Sequence, residues 1–189
     1  KPPVPSLLHS SAASDVYKRQ SYVGSILLPA GLVLAVTIAV VGRLTDRQPT
    51  HRLVSIGLLL LSASFALMVT IDPGHPAWIT TLLMAWAILG RIGLGFILPS
   101  LNIGAMRGLD RTQIPQGSSV INFLRMLGGA AGVSLCGIVL EWRLAAHGAS
   151  LSATGVGEGR TAAFNQTFLM LAAVCALALV CLLYTSDRC

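Results

Sequence analysis

The sequence predicts an all-α membrane protein with five transmembrane helices, and three observations carry that prediction. Five apolar stretches, at residues 22–41, 53–71, 78–98, 117–140 and 164–183, each hold about the twenty residues a helix needs to cross a bilayer. No stretch contains an Asp or Glu, and the stretches mostly lack the polar residues at helical spacing that a water-facing helix requires. Hydrophobic residues make up 54% of the chain and charged residues 11%, with a mean hydropathy of +0.75. That leaves too little charge to give five such helices a wet face.

The first span contains Leu28-Pro29-Ala30-Gly31-Leu32, where Pro29 and Gly31 suit either a bend or close helix packing. Directly after it comes Gly42-Arg43-Leu44-Thr45-Asp46-Arg47, and Arg52 opens the second span. A glycine at 42 permits a tight exit from the helix. Asp46 can accept hydrogen bonds from free amides at the start of the next helix, or pair with a neighbouring Arg. The loop reads either as a latch between two helices or as an ordinary basic loop.

The third span carries Arg91 among Gly90, Gly93 and Gly95, with Pro99 just beyond. These again serve a bend or close packing. Tyr22 and Trp78 lie at outer span ends and fit an interfacial aromatic belt, whereas Trp86 lies deeper. In the fourth span Ser118, Asn122, Arg125, Gly129, Gly132 and Cys136 recur at steps of four and three, which places them on one face. Phe123, Leu124, Leu127, Ala131 and Leu135 fall opposite. The small and polar face is expected to point into the bundle. Arg91 and Arg125 each cost about 2.5–3.5 kcal/mol near a helix centre. Each lies roughly 10–12 Å from its span's basic end. From there the guanidinium either snorkels to the interface or lines a wet path.

The loops set orientation. Arg43, Arg47 and Arg52 separate the first two spans, and Arg107 and Arg111 separate the third and fourth. Residues 72–77 carry no Lys or Arg, and residues 141–161 carry Arg143 and Arg160. The arginine-rich loops are therefore expected in the cytoplasm. The other long loop, with its run GASLSATGVGEG, is expected to be flexible; no strand precedes it and no GK[ST] follows, so it is not a phosphate loop.

The net charge of +6 comes without a basic stripe or aromatic interleaving, which argues against nucleic acid. Of the four cysteines, Cys136, Cys175 and Cys181 fall in spans and none forms a CxxC pair, so they read as packing residues. The spans hold no His and no acid, which leaves no metal site and no catalytic dyad. Both ends look foreign. Residues 1–20 are polar and Pro/Ser-rich, and SAASDVYKRQ within them resembles translated sequencing adapter; residues 184–189 have the same look. Residues 21–183 are expected to form the transmembrane bundle.

The spacing G-x-L-x-D-R over Gly42, Leu44, Asp46 and Arg47 resembles the hallmark loop of the major facilitator superfamily, in the copy of its C-terminal half. Members often continue with Gly and basic residues, where this chain has Pro49, Thr50 and His51. The Pro29–Gly31 run, the segment from Gly90 to Gly95, Asn122-Phe123-Leu124-Arg125 with Gly128-Gly129-Ala130-Ala131-Gly132, and the Gln113-Ile114-Pro115-Gln116-Gly117 approach resemble the EmrB/QacA-type fourteen-span drug/proton antiporters.

The resemblance implies the last five of fourteen helices, a partial C-terminal bundle of a major facilitator fold in a bacterial inner membrane. It implies proton-coupled efflux of lipophilic or cationic drug-like compounds by alternating access, with no enzyme activity and no cofactor. The partners implied are membrane lipid, the drug, protons and the missing N-terminal helices, which would carry the proton-binding acids. Gly42, Arg43, Asp46 and Arg47 would form a cytoplasmic latch. Arg91, Asn122 and Arg125 are substrate-path candidates. Pro29, Gly31, Gly90, Gly93, Gly95, Gly128, Gly129 and Gly132 would serve packing or gating. The alternative is a small membrane assembly or scaffold subunit, which a start near Ser21 and a stop near Leu183 would favour.

Overall fold

The computed structural model describes residues 28–45, 47–71, 76–148 and 158–186. Regular structure among them is helical throughout: α1 (Leu28–Leu44), α2 (Thr50–Met68), α3 (Pro76–Met106), α4 (Ile114–Ala146) and α5 (Glu158–Ser186). Helices α2 to α5 contain segments long and apolar enough to cross a membrane, and the described part of α1 is a shorter apolar helix. The chain is thus a multi-pass integral membrane protein, as the apolar stretches predict. Tyr22, Asp46 and the segment 1–20 lie outside the described residues, as do residues 187–189.

The helices outrun the apolar stretches. α3 continues through Pro99 to Met106 over 31 residues, and α4 spans 33. At 1.5 Å per residue both exceed 45 Å, roughly, against about 30 Å of hydrocarbon, so their ends reach the headgroup region. Pro99 does not end α3, because groups around a buried helix can take up the carbonyl it leaves unbonded. The expected long outer loop also shrinks. Helix α4 runs on to Ala146 and α5 starts at Glu158, so Arg143 and Arg160 are helical. α4 stops at His147 and Gly148, whose φ of 65° is the left-handed conformation that terminates helices at glycine. α5 extends to Ser186, past the expected boundary at Leu183.

Packing centres on α2, which lies along both α3 and α5. Its seam with α3 is built on small residues. A methyl group on Gly93 would sit 2.8 Å from the Gly57 carbonyl oxygen and 2.9 Å from the Leu61 amide nitrogen, and one on Gly57 would meet Ile97. One on Gly90 would meet Ser64 Oγ at 2.8 Å, and the Ser64 hydroxyl donates to the Trp86 carbonyl at 2.7 Å. Backbones therefore touch directly, which is how helices attract one another where no water is displaced. Helix α1 joins the same helix from another side: Gly95 faces the Thr37 methyl, whose hydroxyl is turned back onto the Val33 carbonyl. On α5, the Ala172 carbonyl accepts from Ser62, and Phe168 stacks on Phe65 with centroids 6.5 Å apart.

Helix α4 is the exception. It meets α3 and α5 over short stretches, and of its residues Leu144 is buried. Val120, Phe123, Met126, Val133 and Ile138 are all more than half exposed. The expectation that its small-residue face packs into the bundle fails within this chain. Nothing lies within 4 Å of a methyl group on Gly128, Gly129 or Gly132. The same holds for Gly31. Close packing belongs instead to Gly90, Gly93 and Gly95, and to Gly57, which spacing alone did not single out.

Candidate functional site

The arginine-rich loops meet. Arg107, one residue past α3, donates from Nη2 to the Thr45 carbonyl at 3.0 Å. Thr45 follows α1, is fully buried, and returns its own hydroxyl to the Val41 carbonyl at 2.7 Å. The last carbonyls of a helix lack partners within it and carry partial negative charge, so a guanidinium suits this position. Close by, a methyl group on Gly104 would lie 2.7 Å from Thr50 Cγ2, where α2 begins. The end of α3 is thus tied to both sides of the α1–α2 loop. This puts Arg43, Arg47, Arg52, Arg107 and Arg111 at one end of the molecule, in keeping with the charge pattern.

The proposed latch residues occupy different places. Gly42 lies inside α1, which runs on to Leu44, so it is not the helix exit; beyond it the Arg47 and Gln48 amides donate to the Leu44 carbonyl. Arg43 and Arg47 flank a groove of about 490 Å³ with Val40 and Leu44. The contact between loops comes from Arg107 and Thr45. Their pairing is not legible in the sequence, because the acceptor is a main-chain carbonyl that any residue type would supply.

A second cavity, of about 360 Å³, opens between α3 and α4. From α3 it is lined by Leu98, Leu101, Asn102 and Ala105; from α4 by Ile121, Leu124 and Arg125. Its surface is overwhelmingly apolar, and among the described residues Arg125 is the one charged side chain in its wall. Arg125 donates from Nη2 to Asn122 Oδ1 at 2.7 Å, one helical turn back. That bond aims the guanidinium and leaves its remaining donors available. Asn102 ties one amide N–H to the Leu98 carbonyl at 3.0 Å and keeps its Oδ1 for another partner.

The structure therefore brings Asn122 and Arg125 together at a cavity and adds Asn102, which sequence reasoning missed. The i, i+4 step from Leu98 to Asn102 would have found it once the α3–α4 contact was known. Leu124, placed on the opposite face from Arg125 by spacing, lines the same cavity, because the two are adjacent and the cavity spans the angle between them. Arg91 does not join them. It is half-buried and shares the α3 face of Leu98 and Asn102, about 10 Å along the axis from Leu98 and about 16 Å from Asn102. Trp78 is 70% exposed at its end of α3, in the place an interfacial aromatic would take, while the Trp86 indole N–H is buried with no hydrogen-bond partner among the described residues. No group of metal-binding side chains occurs among the described residues.

Comparison with known proteins bears on what this arrangement serves. A multidrug transporter protein of Bacillus subtilis, MdtP, is 25% identical over 120 residues, covering 64% of this chain and 22% of its own length. The methylenomycin A resistance protein of Streptomyces coelicolor is 30% identical over 138 residues, covering 71% and 28%. A multidrug resistance protein B homolog of Mycobacterium tuberculosis is 24% identical over 137 residues, covering 72% and 25%. The chain spans about a quarter of the length of these curated relatives. No solved structure is significantly similar. The family model described as the Major Facilitator Superfamily matches residues 5–133, more than half of the chain. With its all-helical membrane bundle, the chain belongs to the major facilitator superfamily.

Proposed function

We propose that this chain is the C-terminal part of a proton-coupled drug exporter of the EmrB/QacA type, working by alternating access in a bacterial inner membrane. The observation that carries this reading is the α3–α4 cavity. An apolar wall with one oriented guanidinium and one carboxamide is the composition of a small-molecule site: a greasy pocket with a few convergent polar groups. A volume of about 360 Å³ suits a drug-sized body. The names of the relatives, which speak of multidrug transport and of resistance to methylenomycin A, point the same way.

In this reading Arg125 contacts substrate, Asn122 orients Arg125, and Arg91 lies further along the same path. Gly42 and Arg43 at the end of α1, with Asp46 and Arg47 after it, belong to the cytoplasmic latch that changes shape between inward-open and outward-open states. The spans carry no acid, so the proton-binding carboxylates belong to helices outside this chain. Those helices also cover α4. Pro29, Gly31, Gly128, Gly129 and Gly132 are contact or gating positions toward them.

The test is Arg125→Ala in the longer polypeptide. Efflux of a fluorescent substrate from cells should fall at least about tenfold, the scale of one lost charge-assisted hydrogen bond. The amount of protein in the membrane should stay at the parental level. Equal loss of efflux and of inserted protein would make Arg125 a folding residue and remove the support for the cavity as a substrate site.

A further inference from the structure

Helix α3 is held to its neighbours differently on the two sides of Pro99. We infer that Pro99 is a joint in α3 and that Arg107 clasps this joint shut, so that releasing the clasp reshapes the α3–α4 cavity from the loop side. The joint follows from α3 itself; its bearing on export rests on the proposed role of that cavity.

A proline inside a helix has no N–H to give, so the Gly95 carbonyl loses its bond to position 99, and the ring crowds that same carbonyl. Sharp bends in helices concentrate at such points. Before Pro99, α3 is held fast to α2. The Gly93 backbone lies directly against Gly57, and the Ser64 hydroxyl donates to the Trp86 carbonyl at 2.7 Å. Beyond Pro99 the same seam is poorer. Ser100, one turn after Ile97 and one turn before Gly104, is fully buried, yet its hydroxyl has no partner among the described residues. The buried hydroxyl of Thr50, beside Gly104, has none either. Unpaired buried hydroxyls weaken the arrangement that holds them.

Residues 100–106 are tied down at their far end. Arg107 donates to the Thr45 carbonyl at 3.0 Å, and Thr50 abuts Gly104. Thr45 is fully buried, so the acceptor is firmly seated. The guanidinium-bearing residue lies eight positions past Pro99, about 12 Å along the axis, which gives the tie leverage over the joint. The segment between joint and tie is also a wall of the cavity. Leu101, Asn102 and Ala105 line the cavity from beyond Pro99, and Leu98 lines it from before. Asn102 spans the joint, because its Nδ2 donates to the Leu98 carbonyl at 3.0 Å. A swing at Pro99 therefore moves three wall residues against Leu124 and Arg125 of α4, while Leu98 stays with the seam. Clasp and cavity wall sit on one lever, and a change in the loop that withdraws the Thr45 carbonyl frees the wall to move.

Amide hydrogen exchange of the chain in phosphatidylcholine nanodiscs tests the joint. Arg107→Ala is expected to quicken exchange at the amides of Leu101 to Ala105 by about tenfold. Pro99→Ala gives the Gly95 carbonyl its amide partner again, and by itself should leave those amides at the parental rate or slower. In the double variant Arg107→Ala/Pro99→Ala the quickening should disappear, because a helix without the joint has nothing to release. Circular dichroism of each variant checks that its helices form. Parental exchange in Arg107→Ala would overturn the clasp. A quickening confined to Met106, or one that persists undiminished in the double variant, would mark ordinary fraying of the last turn and overturn the joint. These readings do not depend on transport. If the joint is absent while the longer polypeptide still loses efflux in Arg125→Ala, the lever fails and the cavity stands. If the joint is present while Arg125→Ala leaves efflux intact, the lever stands and the cavity is no substrate site.

Discussion

Arg107 directs its guanidinium at a main-chain carbonyl sixty-two positions earlier in the chain, and this is what joins the two arginine-rich loops. A hydrogen bond from a charged donor is worth about 1.5–3 kcal/mol, and a partly exposed one belongs at the low end. Arg107→Ala should therefore destabilise the α1–α2 loop by about 1.5 kcal/mol. Hydrogen exchange at the amides of Arg47, Gln48 and Arg52 should quicken by roughly tenfold. Arg107→Lys should fall between the two, since a point charge reaches the Thr45 carbonyl without the planar fork. Unchanged exchange in Arg107→Ala would show that the Thr50–Gly104 contact holds the loops by itself.

At the scale of helices, the α2–α3 seam is the firmest part of the molecule, and its strength is steric. Gly57 and Gly93 present backbone to backbone, so even a single methyl group has nowhere to go. Gly93→Ala should cost about 1–3 kcal/mol, the usual penalty for overpacking a tight site. Unfolding of the chain by rising fractions of sodium dodecyl sulfate in mixed micelles would measure it. Gly90→Ala meets a Ser64 hydroxyl that can rotate away, at the expense of the Ser64–Trp86 bond. Its effect should be smaller. If Gly93→Ala were neutral, the two helices would have to separate slightly without loss, and the seam would not be the structural centre that α2 makes it.

The molecule as a whole is lopsided. Helices α1, α2, α3 and α5 gather around α2 and α3, whereas α4 stands apart with its apolar surface and its glycine run uncovered. A chain that spans about a quarter of its relatives' length fits the proposal that further helices of the same polypeptide cover α4. Gly129→Leu separates the two settings. In this chain it should change stability by no more than about 0.5 kcal/mol, since nothing adjoins the site. In the longer polypeptide the same substitution should lower the melting temperature by several degrees, roughly, through the clash it creates. A neutral effect in both would mean that lipid, not protein, faces this part of α4.

Legibility in the sequence depends on the physics of each feature. Membrane helices, their approximate limits and the shared end of the arginine-rich loops came from the sequence alone, because hydrocarbon forces every backbone polar group into a helix and loop arginines mark one side. Helices α3, α4 and α5 extend several residues beyond the apolar stretches, since apolar content stops at the headgroups while hydrogen bonding does not. Periodicity put Asn122 and Arg125 on one face of α4, and it could not say what that face meets. Glycines at 90, 93 and 95 and at 128, 129 and 132 look alike in sequence, yet the first set touches neighbouring helices and the second touches nothing. That difference, the Arg107–Thr45 contact and the joining of Asn102 to Arg125 around one cavity depend on which helices lie side by side, and only the tertiary structure decides that.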